Sequence, residues 1–242
     1  MTTQEPIVEM HGITYAYSGR GPVLDQLEFT LRRGDRIGLI APNGSGKTTL
    51  FHLIMGLLKP DEGTICVFGR PVKEEKDFRQ VRRQVGLLFQ DADDQLFSPT
   101  VLEDVAFGPL NLGRSKAEAV AISRETLDFL GLNGFEGRVT FALSGGEKRM
   151  VALATVLAMD PDILLLDEPS AGLDEETKKR LIQVLNQLRK SYVVVSHEFE
   201  FITQVTDDIY TIKDGKILLD REAQVHRHIH AHPYGTQPHK HV

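Results

Sequence analysis

Short apolar runs alternate with amphipathic stretches along most of the chain, and this pattern predicts a mixed α/β fold. Continuous apolar runs are typical of strands that are buried on both faces of a parallel sheet. Four such runs are Ile37–Ile40, Val85–Phe89, Ile163–Leu166 and Tyr192–Val195. An amphipathic helix is predicted over Thr177–Leu188, and another helix is predicted to begin near Glu198. We therefore expect an α/β core with a parallel sheet at its centre.

Shorter strands and turns lie before and after these runs. Ile13–Tyr17 and Leu27–Leu31 have β propensity and flank a turn at Ser18–Pro22. Thr64–Phe68 is predicted as a further strand, and an Asp214-Gly215 hairpin turn joins two edge strands near the end of the pattern.

The middle of the chain has a different, helical character. Helical periodicity occurs at Thr100–Leu110, Ser115–Leu130 and Gly145–Met159, with no strong strand between them. These segments predict a helical subdomain at about residues 91–159, inserted into the α/β core. The mixed-charge run Lys73–Asp77 is interpreted as a solvated surface with no special role.

Composition is that of an ordinary globular protein, with 41% apolar and 26% charged residues among 242. The net charge of −6 argues against a nucleic-acid-binding surface. Cys66 is the only cysteine, which excludes an internal disulfide and favours a reducing compartment. Residues 1–6 lack the pattern of a signal peptide, and no apolar stretch approaches the roughly 20 residues of a membrane helix. If the protein acts at a membrane, we expect another chain to span it.

A glycine-rich segment, Ala41–Thr49, connects the first apolar run to a stretch of helical character at Leu50–Met55. Strand, glycine-rich turn and helix form the context of a phosphate-binding loop, because free N–H groups and the helix dipole favour an anion at the helix N-terminus. Gly44 and Gly46 would let the backbone wrap the phosphates.

Two side chains of this segment fit phosphate chemistry. Lys47 would reach the β- and γ-phosphates, and the Thr48 hydroxyl would ligate Mg²⁺. Ala41 stands where the strict pattern has glycine, and alanine fails there only if the position requires a positive φ. The alternative interpretation is an ordinary glycine-rich turn with a surface lysine.

Two further motifs carry candidate chemistry. Asp167 and Glu168 end a buried strand, where adjacent side chains diverge; Asp167 could hold Mg²⁺ through water and Glu168 could polarise the attacking water. Ser144, Gly145, Gly146 and Glu147 open a helix and would form a second anion site. Helix N-capping is the alternative for both motifs.

The order of these motifs is more specific than any one of them. Along the chain they are the phosphate loop, Gln90, Leu143–Gly146, Asp167–Glu168, Leu173–Asp174 and Ser196–His197. This order resembles the nucleotide-binding subunits of ABC transporters over nearly the whole chain. The resemblance implies a P-loop NTPase core of ABC ATPase type, with an antiparallel β subdomain and the inserted helical subdomain. It implies an ABC ATPase domain at residues 1–222.

The resemblance also implies roles in binding ATP and Mg²⁺. Tyr17 resembles the aromatic that stacks on adenine, with Tyr15 and a core tyrosine as alternatives. Gln90 resembles the loop glutamine that touches Mg²⁺ and the attacking water, while its flanks contact the membrane subunit. Asp167 resembles the Walker B aspartate and Glu168 the general base. The Walker A loop would comprise Asn43, Gly44, Ser45, Gly46, Lys47, Thr48 and Thr49.

The remaining roles concern the second subunit of a dimer. Ser144–Glu147 resembles the signature motif, which closes on ATP bound to the other protomer. Asp174 matches the D-loop and His197 the switch histidine near the γ-phosphate, although a histidine after a strand also occurs for structural reasons. Ala41 and Glu147, which replace glycine and the commoner glutamine, could weaken ATP binding. Hydrolysis is expected to require a homodimer, or a heterodimer with a second ABC ATPase.

The stretches Phe89–Val101 and Glu103–Leu110 look like the ATPases of energy-coupling-factor importers, particularly the cobalt and nickel branch. This resemblance implies membrane-spanning partner subunits and a peripheral location on the cytoplasmic face of the cell membrane.

An importer of a vitamin or another solute is the first alternative. A soluble ABC ATPase acting on DNA or ribosomes is disfavoured by the acidic charge and short insert. A non-hydrolytic regulatory module is disfavoured by Glu168 and His197.

A histidine-rich, flexible tail is predicted at residues 223–242. Imidazole is a good ligand for nickel, cobalt, copper and zinc, so the tail is a candidate transition-metal site. Adventitious metal binding by a hydrophilic terminus is the alternative. The candidate ligands are His226, His228, His230, His232, His239 and His241.

Overall fold

The computed structural model describes residues 5–219, which form two sheets and seven helices. The predicted tail at 223–242, with its six histidines, lies outside the described residues. The strands are β1 (Pro6–Ala16), β2 (Pro22–Arg32), β3 (Arg36–Ile40), β4 (Glu62–Val67), β5 (Arg70–Pro71), β6 (Val85–Leu88), β7 (Ile163–Asp167), β8 (Ser191–Val195), β9 (Asp208–Lys213) and β10 (Lys216–Leu219). The helices are α1 (Lys47–Ile54), α2 (Glu75–Gln84), α3 (Val101–Asn111), α4 (Lys116–Phe129), α5 (Gly145–Leu157), α6 (Glu175–Gln187) and α7 (Phe199–Val205).

The larger sheet has the strand order β10-β9-β3-β8-β7-β6, and its five strands from β9 to β6 are parallel. The four apolar runs form β3, β6, β7 and β8, as the pattern predicted. Alternate residues of β7 enter different cores: Ile163 and Leu165 face the core that contains α1, whereas Leu164 and Leu166 face the core of α5 and α6. Burial on both faces is the physical reason for a continuous apolar strand.

The smaller sheet is antiparallel, with the order β2-β1-β4-β5, and it packs over α1. The predicted strand at Ile13–Tyr17 is the end of a longer strand, because β1 starts at Pro6. The α/β fold with an antiparallel β subdomain is thus present.

Residues 89–162 connect two neighbouring parallel strands, β6 and β7, through α3, α4, α5 and two short 3₁₀ turns at Ala92–Asp94 and Thr140–Ala142. This is the region for which a helical insert was predicted. The sequence prediction missed α2, whose first turn lies in the charged run Lys73–Asp77. The Glu74 side chain and the Asp77 side chain cap this helix reciprocally, so the run is a helix start as well as a solvated surface. None of the helices within residues 5–219 has the length and apolar character that a membrane crossing requires.

Candidate nucleotide-binding site

The glycine-rich loop lies between β3 and α1, at the carboxyl end of the parallel sheet. Gly46 is the N-cap residue of α1 and has a φ of 99°, and Gly44 has a φ of 79°. A Cβ atom on Gly46 would lie 2.7 Å from Leu24 Cδ2 and 3.0 Å from Val23 Cγ1, both on β2. Gly46 is therefore required by its backbone conformation and by its close contact with the antiparallel sheet.

Ala41 is compatible with the loop. Its backbone does not adopt a positive φ, so the position does not need glycine. Its methyl group is buried, and its carbonyl oxygen accepts a hydrogen bond of 2.5 Å from Lys47 Nζ. The replacement therefore leaves the loop conformation intact.

Lys47 is 7% exposed, and its ammonium group points back into the loop. Besides the bond to Ala41, Nζ donates to the carbonyl oxygen of Pro42 at 2.9 Å. Burial lowers the pKa of the lysine, and the carboxylates of Glu168 and Asp167 oppose this decrease. The loop thus holds a cation beside backbone N–H groups, as a phosphate site requires.

Asp167, at the end of β7, accepts a 2.7 Å hydrogen bond from the Thr48 hydroxyl. Asp167 is 3% exposed; burial raises the pKa of its carboxyl, and the hydrogen bond from Thr48 and the charge of Lys47 oppose this increase. Hydroxyl and carboxylate oxygens are the donors that Mg²⁺ prefers. The pair therefore fits the magnesium ion predicted from the sequence.

Glu168 follows Asp167 with a φ of 51°, a left-handed conformation that is uncommon for residues other than glycine. Its Oε2 accepts a hydrogen bond from the backbone N–H of His197 at 3.3 Å. The His197 Nε2 lies 2.9 Å from Asn43 Oδ1 and 3.1 Å from Glu168 Oε1. The latter contact lacks hydrogen-bond geometry, so the buried Oε1 has no hydrogen-bond partner within the described part of the chain.

This environment suits a general base. Burial raises the pKa of the Glu168 carboxyl, and the neighbouring His197 ring opposes part of the increase. A carboxylate with a raised pKa and a free acceptor oxygen can take a proton from a water molecule. The Ser45 hydroxyl in the phosphate loop is a second buried group without a hydrogen-bond partner within residues 5–219.

Most residues predicted to bind nucleotide and Mg²⁺ within one subunit line a single cavity of about 330 Å³, but Ser45 of the predicted Walker A loop does not line it. Tyr17 is 39% exposed and its hydroxyl lies 3.0 Å from Thr49 Oγ1, whereas Tyr15 packs edge-on against the Tyr17 ring and does not line the cavity. Sequence reasoning missed Arg20 and Val23, which also line the cavity. Arg20 lies in the segment interpreted only as a turn, and Val23 lies between that turn and the predicted strand Leu27–Leu31. The predicted residues that line it are Tyr17, Asn43, Gly44, Gly46, Lys47, Thr48, Thr49, Gln90, Asp167, Glu168 and His197.

The signature residues line a different cavity of about 770 Å³. The Ser144 hydroxyl accepts a hydrogen bond from the Glu147 N–H at 3.3 Å, and Glu147 Oε2 accepts one from the Ser144 N–H at 2.8 Å, so the two residues form a capping box on α5. Arg138 Nη1 lies 2.7 Å from Glu147 Oε1. The hydrogen bonds from Ser144 and Arg138 lower the pKa of the Glu147 carboxyl, and its charge is therefore compensated within the chain.

Asp174 lines the same second cavity and is the N-cap residue of α6. Its carboxylate accepts hydrogen bonds from the backbone N–H groups of Glu176 and Thr177 at 3.0 and 2.9 Å. The structure therefore does not bring Ser144–Glu147 and Asp174 together with the phosphate loop; it places the two groups in separate cavities of one chain.

Comparison with known families agrees with this geometry. Residues 24–171 match the family described as ABC transporter, a span that contains the phosphate loop, Ser144–Glu147 and Asp167–Glu168. This chain is an ABC transporter ATPase.

Curated relatives of this ABC ATPase cover nearly all of it. A putative ABC transporter ATP-binding protein of Nitratidesulfovibrio vulgaris is 48% identical over 99% of this chain and 88% of its own. The energy-coupling factor transporter ATP-binding protein EcfA of Methanothermobacter thermautotrophicus is 41% identical over 88% of this chain and 70% of its own.

Solved structures share the fold of this ABC ATPase. CbiO1 of Clostridium perfringens, described as part of the ABC transporter complex cbiONQ, has a TM-score of 0.78 at 32% identity and covers 89% of this chain and 88% of its own. The ATP-binding cassette MJ0796, in a dimeric post-hydrolysis state with ADP and Pi, has a TM-score of 0.80 at 28% identity over 87% and 96%.

Proposed function

We propose that this ABC transporter ATPase hydrolyses Mg²⁺-ATP at the interface of a dimer and powers an energy-coupling-factor importer of cobalt or nickel. The observation that carries the dimer is the separation of the two half-sites. The phosphate loop and the signature residues Ser144–Glu147 line different cavities of one chain, so each needs a complement from a second subunit. The dimeric state of the related cassette MJ0796 supports the same arrangement.

ATP would lie along the first cavity. Tyr17 would stack on adenine, and the N–H groups of Asn43–Thr49 would bind the phosphates. Lys47 Nζ would exchange its two carbonyl acceptors for oxygens of the β- and γ-phosphates. Thr48, Asp167 and Gln90 supply oxygen atoms for Mg²⁺, which neutralises phosphate charge when bound.

Catalysis would then depend on a proton acceptor and on a group that senses the γ-phosphate. Glu168 Oε1 has no hydrogen-bond partner within residues 5–219 and would accept a proton from the attacking water. His197 lies between Glu168 and Asn43, where its ring would contact the γ-phosphate. Ser144 and the N-terminus of α5, from the partner, would stabilise the charge of the transferred group.

An exposed apolar patch fits a membrane-spanning partner. Phe97 is 66% exposed and packs edge-on against Phe107 at a centroid distance of 4.8 Å, and Leu110 lies on the same helix, α3. All three belong to the stretches that resemble energy-coupling-factor ATPases. Large exposed apolar side chains that are grouped together mark interaction sites. We propose that this patch, formed by Phe97, Phe107 and Leu110, binds the membrane subunit at the cytoplasmic face of the membrane.

The proposed substrate rests on the resemblance of Phe89–Val101 and Glu103–Leu110 to the cobalt and nickel branch of the energy-coupling-factor ATPases; the names of the relatives support the transporter type. EcfA is named as a subunit of an energy-coupling factor transporter, and CbiO1 as part of a cbiONQ complex. A vitamin importer is the second candidate, because the EcfA name does not specify the solute. Uptake of Co²⁺, Ni²⁺ and labelled vitamins into vesicles that contain the reconstituted complex would distinguish the two.

The dimer and the role of Glu168 can be tested together with the variant Glu168→Gln. Loss of the proton acceptor is expected to lower kcat by at least about a hundredfold, while the nucleotide contacts remain. Size-exclusion chromatography of the variant with Mg²⁺-ATP should show a stable dimer, and the parent protein should return to monomer as it hydrolyses ATP. Parent-like hydrolysis by the variant, or absence of Mg²⁺-ATP binding, would contradict the proposal.

A further inference from the structure

The residue after the proposed switch histidine is held by two other segments of the chain and by a residue of its own turn. Glu198 lies in the turn between β8 and α7, next to His197. Its Oε1 accepts a 2.8 Å hydrogen bond from the Ser170 hydroxyl, two residues after Glu168. Its Oε2 lies 2.5 Å from Lys178 Nζ on α6. Its backbone N–H donates to the Ser196 hydroxyl at 3.1 Å.

The serines of this network are buried and fix the position of the turn. Ser170 is 1% exposed and Ser196 is fully buried, and their hydroxyl oxygens lie 3.4 Å apart. Burial raises the pKa of Glu198, but the hydrogen bonds from Lys178 and Ser170 outweigh it and hold the pKa below its usual value. Glu198 is therefore ionised at neutral pH and binds both partners as a carboxylate.

His197 needs such support because its own side chain is not packed. Its ring is 47% exposed, and its contacts in the site are those with Asn43 and Glu168. A side chain without packing is directed by its backbone, and the backbone of His197 is fixed by the anchored residues on each side, Ser196 and Glu198. This turn thus sets the distance from the imidazole to the proposed general base.

Lys178 connects the turn to the second half-site. Its backbone N–H donates to the carbonyl oxygen of Asp174 at 2.9 Å, one helical turn away. Asp174 caps α6 and lines the signature cavity. The Glu198–Lys178 pair therefore links the switch histidine to the helix whose N-terminus lies beside the proposed dimer interface.

We propose that Glu198 is a positioning residue, which with Lys178 and Ser170 ties the His197 turn to α6 and so aligns the histidine for hydrolysis when the dimer closes. This inference rests on the proposed function of His197 and adds to it a partner within the chain. Because the pair does not line the nucleotide cavity, we expect it to affect the chemical step and not ATP binding.

The test is a double-mutant cycle on steady-state ATPase kinetics with Glu198→Gln, Lys178→Met and the double variant. Each single variant is expected to lower kcat by about tenfold or more, with the KM for ATP within about twofold of the parent. The double variant should be no more impaired than the worse single variant, since the residues act as one unit. The conservative variant Lys178→Arg, which keeps the positive charge, should retain most of the parent kcat. Lys179→Met removes an exposed charge from the neighbouring position and should keep the parent kcat.

Each outcome decides a different point. Parent-like kcat in both single variants, a KM that rises with the loss of kcat, or additive losses in the double variant would overturn the positioning role. The Lys178 variants carry the test even if Glu198→Gln folds poorly, because the Lys178 side chain is partly exposed on α6. His197→Ala tests the proposed function separately: if it retains the parent kcat, the role of His197 is wrong, whereas an inactive His197→Ala beside a fully active Glu198→Gln refutes only the inference.

Discussion

At the scale of single residues, the two departures from the family pattern have different structural consequences. The methyl group of Ala41 is buried beside a backbone that does not require glycine. Glu147 keeps its negative charge, but its carboxylate is paired with Arg138 and accepts a hydrogen bond from the Ser144 N–H. The structure therefore gives no steric reason for weaker ATP binding at Ala41, and at Glu147 the ion pair with Arg138 offsets the negative charge.

Restoring the glycine tests this conclusion. We expect Ala41→Gly to leave the KM for ATP within about twofold of the parent, because the Ala41 carbonyl and the loop conformation remain. The free energy of unfolding should fall by about 0.4–1 kcal/mol, since glycine increases the conformational freedom of the unfolded chain. ATPase kinetics and urea unfolding check both parts. A large improvement in ATP affinity would show that the alanine does perturb the loop.

At the scale of helices and strands, a buried carboxylate connects two segments of the helical insert. Asp104 on α3 is 2% exposed. Its Oδ1 accepts hydrogen bonds from the N–H groups of Phe97 and Ser98 at 3.1 and 2.9 Å, and its Oδ2 accepts one from the Thr140 hydroxyl at 3.1 Å. Asp104 thus joins the exposed aromatic patch to the turn that precedes the signature residues.

Removing this carboxylate is expected to destabilise the insert. Asp104→Ala leaves the N–H groups of Phe97 and Ser98 without their acceptor, and the free energy of unfolding should fall by about 2–4 kcal/mol. Asp104→Asn keeps one acceptor oxygen and serves as the matched control, with a loss of less than half that value. Chemical unfolding measures both; equal stability of the alanine variant and the parent would refute the structural role.

The sequence predicted strands and loops well where a single physical signal dominates, such as a run of apolar residues or the spacing of glycines. Apolar runs identified the buried parallel strands, and glycine spacing identified the loop at Gly44 and Gly46. The pattern missed α2, whose first turn is mostly charged and whose start depends on reciprocal capping by Glu74 and Asp77. It also did not identify Asp104, because its partners lie up to 36 residues away and depend on the folded chain.

At the scale of the whole molecule, the site residues are divided between two surfaces. The cavity that contains Lys47 and Glu168 and the cavity that contains Ser144 are complementary halves of the proposed catalytic site. Motif order predicted which residues belong to each half. The contacts between Glu198, Ser170 and Lys178 had no signal in the sequence, because each is a polar residue at an ordinary position of its element.

Complementation between two inactive variants tests the shared site. Lys47→Met removes the phosphate-binding cation, and Gly146→Asp adds a charge at the N-terminus of α5, where a Cβ meets only ordinary contacts at 3.5 Å or more. Each variant alone should be inactive. An equimolar mixture should regain ATPase activity, because the mixed dimer contains one site with both halves intact. A mixture as inactive as its components would contradict a site formed by two chains.

The contact of Gly46 with Leu24 and Val23 has a consequence for nucleotide binding. Leu24 and Val23 of the antiparallel sheet lie against the loop at Gly46. The hydroxyl of Tyr17, which follows β1, is hydrogen-bonded to Thr49 on α1. The adenine contact proposed at Tyr17 and the phosphate-binding loop are therefore held in a fixed position relative to each other before nucleotide binds. Such preorganisation reduces the entropy lost on binding. A nucleotide that makes both contacts would therefore bind to a site whose two ends are already joined in the free protein.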